Sequence, residues 1–153
     1  MGMSKEYDRF RTREQLTRDA SLTLSSEMSV GSRYALLDNI CWTWSEFDGK
    51  IDGCRWWSRD AVDVRADLKQ LRHEHVVPRR VIIHRLLSLP VPDESGVFAT
   101  LNDWCFGVVV TKAEDATLNA AGLQSRMPED WDHQDVWARY TAVGIEVLEV
   151  IKK

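Results

Sequence analysis

The sequence is poor in the features that mark several common classes of protein. It has only three cysteines in 153 residues, and no two of them are spaced as C-x-x-C. An odd, scattered set argues against both a disulfide framework and a structural zinc site. The longest apolar runs, such as FGVVV, are far shorter than the roughly 20 residues that a membrane span needs. We therefore expect no association with a membrane.

An excess of positive charge is also absent. The 20 Lys and Arg residues are outnumbered by 24 Asp and Glu residues, giving a net charge of -4. This balance counts against unspecific nucleic-acid binding as the main activity, but it does not describe a local patch. Between residues 69 and 85, five basic side chains occur with a single acid, Glu74. The N-terminus is charged where a secretory signal would be apolar, so we expect a cytoplasmic protein.

The length and the hydrophobic content of 44% suit one domain with a core. No internal repeat or low-complexity segment divides the chain. We predict a flexible N-terminal arm over residues 1–12 and a single globular domain over residues 13–153. Its predicted class is α+β, rich in helix, with a small sheet of two or three strands.

Helical patterns dominate the first half of the chain. The capping box Thr12-x-x-Gln15 predicts a helix from about Arg13 to Ser25. Either Ser29 or Ser32 can cap a second helix. Two sets of apolar residues at helical spacing predict that second helix and a third one packed against it as a hairpin; they are Leu37, Ile40, Cys41, Trp44 and Phe47, and then Trp57, Ala61, Val64, Leu68 and Leu71. Trp42 falls off the first set, and the adjacent Trp56 and Trp57 cannot both face one core.

In the second half, Pro78 suits the first turn of a helix over residues 78–88, and residues 89–96 read as a loop. FGVVVT is the best candidate strand because of its β-branched content. The capping box Thr111-x-x-Glu114 predicts a helix directly after it that stops near Gly122. Residues 125–135 read as loop, and the end of the chain mixes a helical turn with a possible strand.

The stretch LRHEHVVPRR, residues 71–80, carries the strongest chemical signal. Its Glu74-His75-Val-Val-Pro element resembles the first motif of the HNH, or ββα-metal, nuclease family, in which a strand ends in an acidic residue, a histidine and then a proline. The resemblance covers about residues 71–122. It implies a metal-dependent nuclease-like domain acting on phosphodiesters, active or degenerate.

The resemblance assigns roles to residues at matching positions. His75 would be the general base that activates water, and Asn102 would orient it. Glu74 would bind Mg²⁺ or another divalent metal, and Asp115 or Asn119 on the following helix would complete the metal site. Nearby arginines would hold the nucleic-acid backbone; they are Arg72, Arg79, Arg80 and Arg85.

Other interpretations of the same residues stay open. His75 can be a half-buried histidine hydrogen-bonded at a helix junction, and Asp115 a first-turn acid that suits a helix N-terminus. Two non-catalytic functions are alternatives to the nuclease: a small regulator or inhibitor that binds a protein partner, and a nucleic-acid-binding module. Seven tryptophans could supply the aromatic surface for either function.

Overall fold

The computed structural model describes residues 11–150. Within this range the chain forms seven α-helices and one mixed sheet, which confirms the helix-rich α+β class, but the sheet has four strands where two or three were predicted. None of the helices in this range is long and apolar enough to cross a membrane. The helices are α1 (Arg13–Ser25), α2 (Val30–Ser45), α3 (Arg59–Asp63), α4 (Arg79–Leu87), α5 (Glu94–Trp104), α6 (Lys112–Ala120) and α7 (Ala138–Ala142), and the strands are β1 (Trp56–Ser58), β2 (Leu71–His75), β3 (Gly107–Thr111) and β4 (Val147–Glu149).

Both predicted capping boxes are present. The Thr12 hydroxyl accepts a hydrogen bond from the Gln15 N–H at 3.1 Å, and the Gln15 side chain accepts one from the Thr12 N–H at 2.8 Å. Thr111 and Glu114 make the same reciprocal pair at the start of α6. The predicted arm lies outside the described residues over 1–10. Its last part is held in place, because Arg11 donates hydrogen bonds to Asn39 and Thr43 on α2.

The main core lies among α1, α2, α4 and α5. Four of the five apolar positions predicted for α2 are buried there. Phe47 is the exception and is 44% exposed, because α2 already ends at Ser45. Trp42 lies off the buried face, as predicted, and is 40% exposed.

The predicted third helix of the hairpin is wrong. Trp57 lies in β1, Ala61 lies in the five-residue α3, and Leu71 begins β2. The physical reason is long-range pairing, since β1 lies parallel to β3 and antiparallel to β4. Trp56 and Trp57 contact different apolar clusters on the two faces of the sheet, which agrees with the prediction that they cannot share one core.

The sheet places β2 at one edge, beside the fully buried β3, in the order β2-β3-β1-β4. Strands β2 and β3 are antiparallel, with Leu71 opposite Thr111 and His75 opposite Gly107. Helices α4 and α5 fill the long connection between the two strands. α5 was not predicted, since its residues follow a loop rich in proline. Its N-cap is Asp93, whose carboxylate accepts a hydrogen bond from the Gly96 N–H.

Gly107 is a position where the sheet tolerates no side chain. A Cβ there would lie 2.0 Å from Nε2 of His73, which is packed over the strand. We expect Gly107→Ala to lower the free energy of unfolding by roughly 1–3 kcal/mol, because the histidine or the strand must shift. Urea denaturation measures this loss. The matched control is Gly31→Ala on α2, where nothing lies within 4 Å of the added Cβ and helix propensity favours alanine. An equal loss in both variants would contradict the close packing of His73.

Candidate functional site

The segment LRHEHVVPRR runs from the edge strand β2 into α4, with Pro78 as the N-cap of that helix. β2 pairs antiparallel with β3, and α6 follows β3 without a loop. The antiparallel pair β2 and β3 with α6 after it contains the three elements that the ββα-metal resemblance implies, but α4 and α5 lie between the two strands. Unrelated folds share this order, so the family assignment stays a prediction. The side chains around β2 decide what chemistry this unit can perform.

His75 is enclosed between α2 and the sheet. Its Nε2 lies 2.7 Å from the Ser45 hydroxyl, within hydrogen-bonding distance. Burial, with Arg79 next in effect, lowers the pKa of His75 to about 3. The Ser45 hydroxyl therefore occupies Nε2, and the ring binds a proton only weakly. This environment does not suit a general base that takes a proton from water at neutral pH.

Glu74 lies on the opposite face of the sheet from His75, because neighbouring residues of a strand alternate sides. Its carboxylate is 3.5 Å from the guanidinium of Arg139, whose side chain is only 1% exposed. Burial raises the pKa of Glu74, while Arg139 acts in the opposite direction. Arg139 also donates hydrogen bonds to the main-chain carbonyls of His75, Val76 and Leu123. We call this arrangement the Arg139 site.

The residues predicted to hold a divalent metal do not fit one in this arrangement. Asp115, in the first turn of α6, is near enough to Glu74 to raise the pKa of that carboxyl, whereas Asn119 is exposed one turn later. The guanidinium already neutralises Glu74 and would repel a second cation at the same place. Among residues 11–150, no group of three His, Cys, Asp or Glu side chains could hold a metal ion.

Asn102 lies on α5, exposed to solvent. It lines a cavity of about 420 Å³ that also reaches Ser45, Cys54 and Gly107. Within residues 11–150 the His75 ring hydrogen-bonds the Ser45 hydroxyl, and no hydrogen bond connects it to Asn102. The role of Asn102 in orienting His75 therefore stays a prediction, and no contact between the two side chains supports it.

The four predicted nucleic-acid-binding arginines lie in three different places. Arg79 is paired with Asp38 at 3.3 Å and its guanidinium covers the ring of Trp42 at 4.5 Å. Arg72 is exposed on β2 and does not line the hollow that Arg80 and Arg85 share. Arg80 and Arg85, in contrast, lie on the outer side of α4 and face the same hollow.

This hollow, which we call the arginine–tryptophan cleft, has a volume of about 550 Å³. One wall is the outer side of α4, since residues three and four apart share a helix face. The opposite wall comes from the end of α5 and from the loop after α6. The charged and aromatic side chains of the lining are Arg80, His84, Arg85, Trp104, Arg126, Trp131 and His133.

The aromatic wall of the cleft is fixed by its own contacts. The Trp131 ring lies against Trp104 and His133, with centroid separations of 5.2 and 4.7 Å. Its indole N–H donates to the Asp135 carbonyl at 2.8 Å. His133 has a φ of 63°, a left-handed conformation uncommon outside glycine that costs free energy and often occurs at functional sites. These contacts fix the position of the Trp131 ring without a ligand.

The charge in the cleft is of one sign. Its lining has three arginines and no carboxylate. Within the described chain none of these arginines forms a salt bridge. Arg85 lies 5.8 Å from the Trp104 ring, and Arg126 donates to the Gly122 carbonyl at 2.8 Å. Acidic residues of the same loop line a separate hollow beside Trp131. The cleft can therefore attract an anion and offer an aromatic face to it.

Sequence reasoning found only part of this cleft. Arg80 and Arg85 were predicted to bind nucleic acid, whereas His84 was given no role. Trp131, His133 and Arg126 were missed, because they belong to a loop whose composition is acidic. The available signal was the high tryptophan content, combined with a loop that holds Trp131 and a histidine two residues later.

Comparisons with known proteins found no relative of this chain. The chain matches no protein-family model, no curated protein and no solved structure at a significant level.

Proposed function

We propose that this protein is a non-catalytic nucleic-acid-binding module that takes a single strand in the arginine–tryptophan cleft. The observation that carries the proposal is the joint presence of three salt-bridge-free arginines and an ordered pair of tryptophan rings in one cleft. Single strands are bound by this combination, in which a positive groove follows the phosphates and bases stack on aromatic side chains. Duplex DNA keeps its bases stacked inside and offers no free aromatic face to Trp131.

The positions of the charges suit this ligand. Arg80 and Arg85 extend from one wall and Arg126 from the other, so a phosphate between them has donors on both sides. Trp131 presents its ring beside them and is anchored through its indole N–H. The net charge of -4 does not oppose this arrangement, because the positive charge is concentrated locally while the acids of the loop face the neighbouring hollow.

The metal-dependent nuclease has less support in the geometry. His75 is half-buried and its Nε2 is engaged by the Ser45 hydroxyl, and Glu74 is engaged by Arg139. A general base and a metal ligand must both be accessible to water or substrate. The nuclease function stays a prediction that the experiment below addresses directly.

The surface best suited to bind a protein partner is a different hollow, between α1 and α2. Its volume is about 340 Å³, and Leu22, Met28 and Leu36 in its lining are 60%, 41% and 44% exposed. The opposed arginines and paired tryptophans of the cleft have no equivalent there. We therefore place the function in the arginine–tryptophan cleft.

The test is a titration of a labelled 12-nucleotide single strand, as DNA and as RNA, followed by fluorescence anisotropy. With about three phosphate contacts, we expect the affinity to fall roughly tenfold or more between 50 and 200 mM salt. Trp131→Ala should weaken binding at least roughly fivefold through lost stacking. Arg85→Ala should weaken it and reduce the salt dependence. The matched control is Arg65→Ala, at an exposed arginine outside the cleft, which should bind as the parent does.

Three results would contradict the proposal. The first is an unchanged affinity in Trp131→Ala and Arg85→Ala. The second is equal affinity for a polyglutamate peptide of the same length, which would point to a protein partner. The third is cleavage of plasmid DNA or RNA by the parent in Mg²⁺ or Mn²⁺ that disappears in His75→Ala, which would establish the nuclease.

A further inference from the structure

Four large apolar side chains lie exposed around one place on the surface, where α1 and α2 meet. They are Leu22, Met28, Val30 and Leu36, with exposed fractions of 60%, 41%, 60% and 44%. Three of them line the hollow between the two helices, and Val30 begins α2 two residues after Met28. A cluster of exposed apolar side chains marks a surface that associates with a partner, because contact removes it from water. We call this surface the α1–α2 patch.

The α1–α2 patch also carries one positive and one negative side chain. Arg11 and Asp19 both line the hollow, and neither forms a salt bridge within residues 11–150. In the described chain, Arg11 makes its hydrogen bonds to Asn39 and Thr43 through Nη2. Its Nε and Nη1 groups remain as donors for a carboxylate. A patch with an apolar part and both signs of charge is complementary to a second copy of itself.

We infer that two copies of this chain associate through the α1–α2 patch and form a symmetric dimer. In a twofold contact the same patch meets itself, so every pair of residues across the contact occurs twice. Arg11 of each copy then faces Asp19 of the other, and the apolar side chains of both patches are removed from water. The inference does not depend on nucleic-acid binding, because the hollow of the patch and the arginine–tryptophan cleft share no residue.

The mixed charge of the patch favours a second copy over a strongly charged partner. A nucleic acid or an acidic protein segment would meet the carboxylate of Asp19, and a basic segment would meet the guanidinium of Arg11. Like charges brought together in a contact that excludes water repel each other, so either occupant is opposed by one of the two side chains. A second copy gives each of the two charges an opposite partner.

The first test is sedimentation equilibrium over a range of protein concentrations. We expect the molar mass to rise from that of one chain toward twice that value, with a dissociation constant on the order of 10 μM for a small interface. Leu36→Lys should weaken the dimer at least roughly tenfold, because the contact would bury a charge. The matched control is Leu68→Lys, at a leucine 62% exposed outside the patch, which should dimerise as the parent does. A parent that stays monomeric, or a dimer that Leu36→Lys leaves intact, overturns the inference.

The second test exchanges the charges of the patch. Arg11→Glu leaves two negative side chains and Asp19→Arg leaves two positive ones, so each variant alone should dimerise roughly fivefold or more weakly than the parent. An equimolar mixture of the two variants should recover the dimer, because every negative side chain then faces a positive one across the contact. Local damage to the fold would not be repaired by mixing. A mixture whose mass equals the average of its separate components overturns the inference.

Discussion

Arg139→Met should lower the free energy of unfolding by roughly 3–5 kcal/mol, the range observed when one partner of a buried ion pair is removed. The side chain is 1% exposed and binds Glu74 together with three main-chain carbonyls. Methionine fills much of the volume but donates no hydrogen bond. The three carbonyl oxygens would then lose their donor, and the Glu74 carboxylate, whose side chain is 24% exposed, would lose its counter-charge.

The measurement is urea denaturation at pH 7, with Arg59→Met as the matched control. Arg59 pairs with Glu146 at 2.7 Å, a shorter distance than that between Arg139 and Glu74. However, the side chains of Arg59 and Glu146 are both more than half exposed. Solvent screens such a pair, so we expect a much smaller loss. If the two variants lose similar stability, the Arg139 site is not the centre of interactions described above.

Lowering the pH from about 6.5 to about 3 should remove roughly 4 kcal/mol of stability through His75 alone. In the unfolded chain a histidine takes up a proton near pH 6.5, whereas in the folded protein burial lowers the pKa of His75 to about 3. Between these values the unfolded state binds more protons, so stability falls as the pH falls. Burial also lowers the pKa of His73, which acts in the same direction.

This prediction is checked by urea denaturation at a series of pH values in the parent and in His75→Gln. The variant should show a clearly smaller loss of stability between pH 6.5 and 4, because glutamine does not titrate. The control is His84→Gln, at a histidine exposed on α4. An identical pH profile in the parent and in His75→Gln would show that the folded protein does not lower the pKa of His75.

Local signals made α1, α2, α4 and α6 predictable. The capping boxes at Thr12 and Thr111 each act within one helical turn, so four residues are enough to recognise them. The buried positions of α2 could be predicted because their spacing repeats along one face. The strand β1 could not, because it is only three residues long and is a strand through its pairing with β3 and β4. Its apolar residues happen to fit a helical spacing.

The candidate site was harder to predict because its parts are far apart in the sequence. Glu74 was recognised from its motif, but Arg139, which neutralises it, belongs to α7 and carries no local signal. Likewise Arg85 was visible in a basic stretch, whereas Trp131 lies opposite it in an acidic loop. A motif gives the residues of one strand, and the fold decides which side chains those residues meet.

The most direct test of the account is to locate the nucleic acid on the protein. A short single strand containing 4-thiouridine is bound, irradiated in the near ultraviolet, and the crosslinked peptide is identified by mass spectrometry. The cleft predicts crosslinks at Trp104, Trp131 or His133, which disappear in Arg85→Ala at a salt concentration where the parent still binds. Crosslinks confined to Arg72 on β2 or to the surface around Trp42 would contradict the cleft as the binding site.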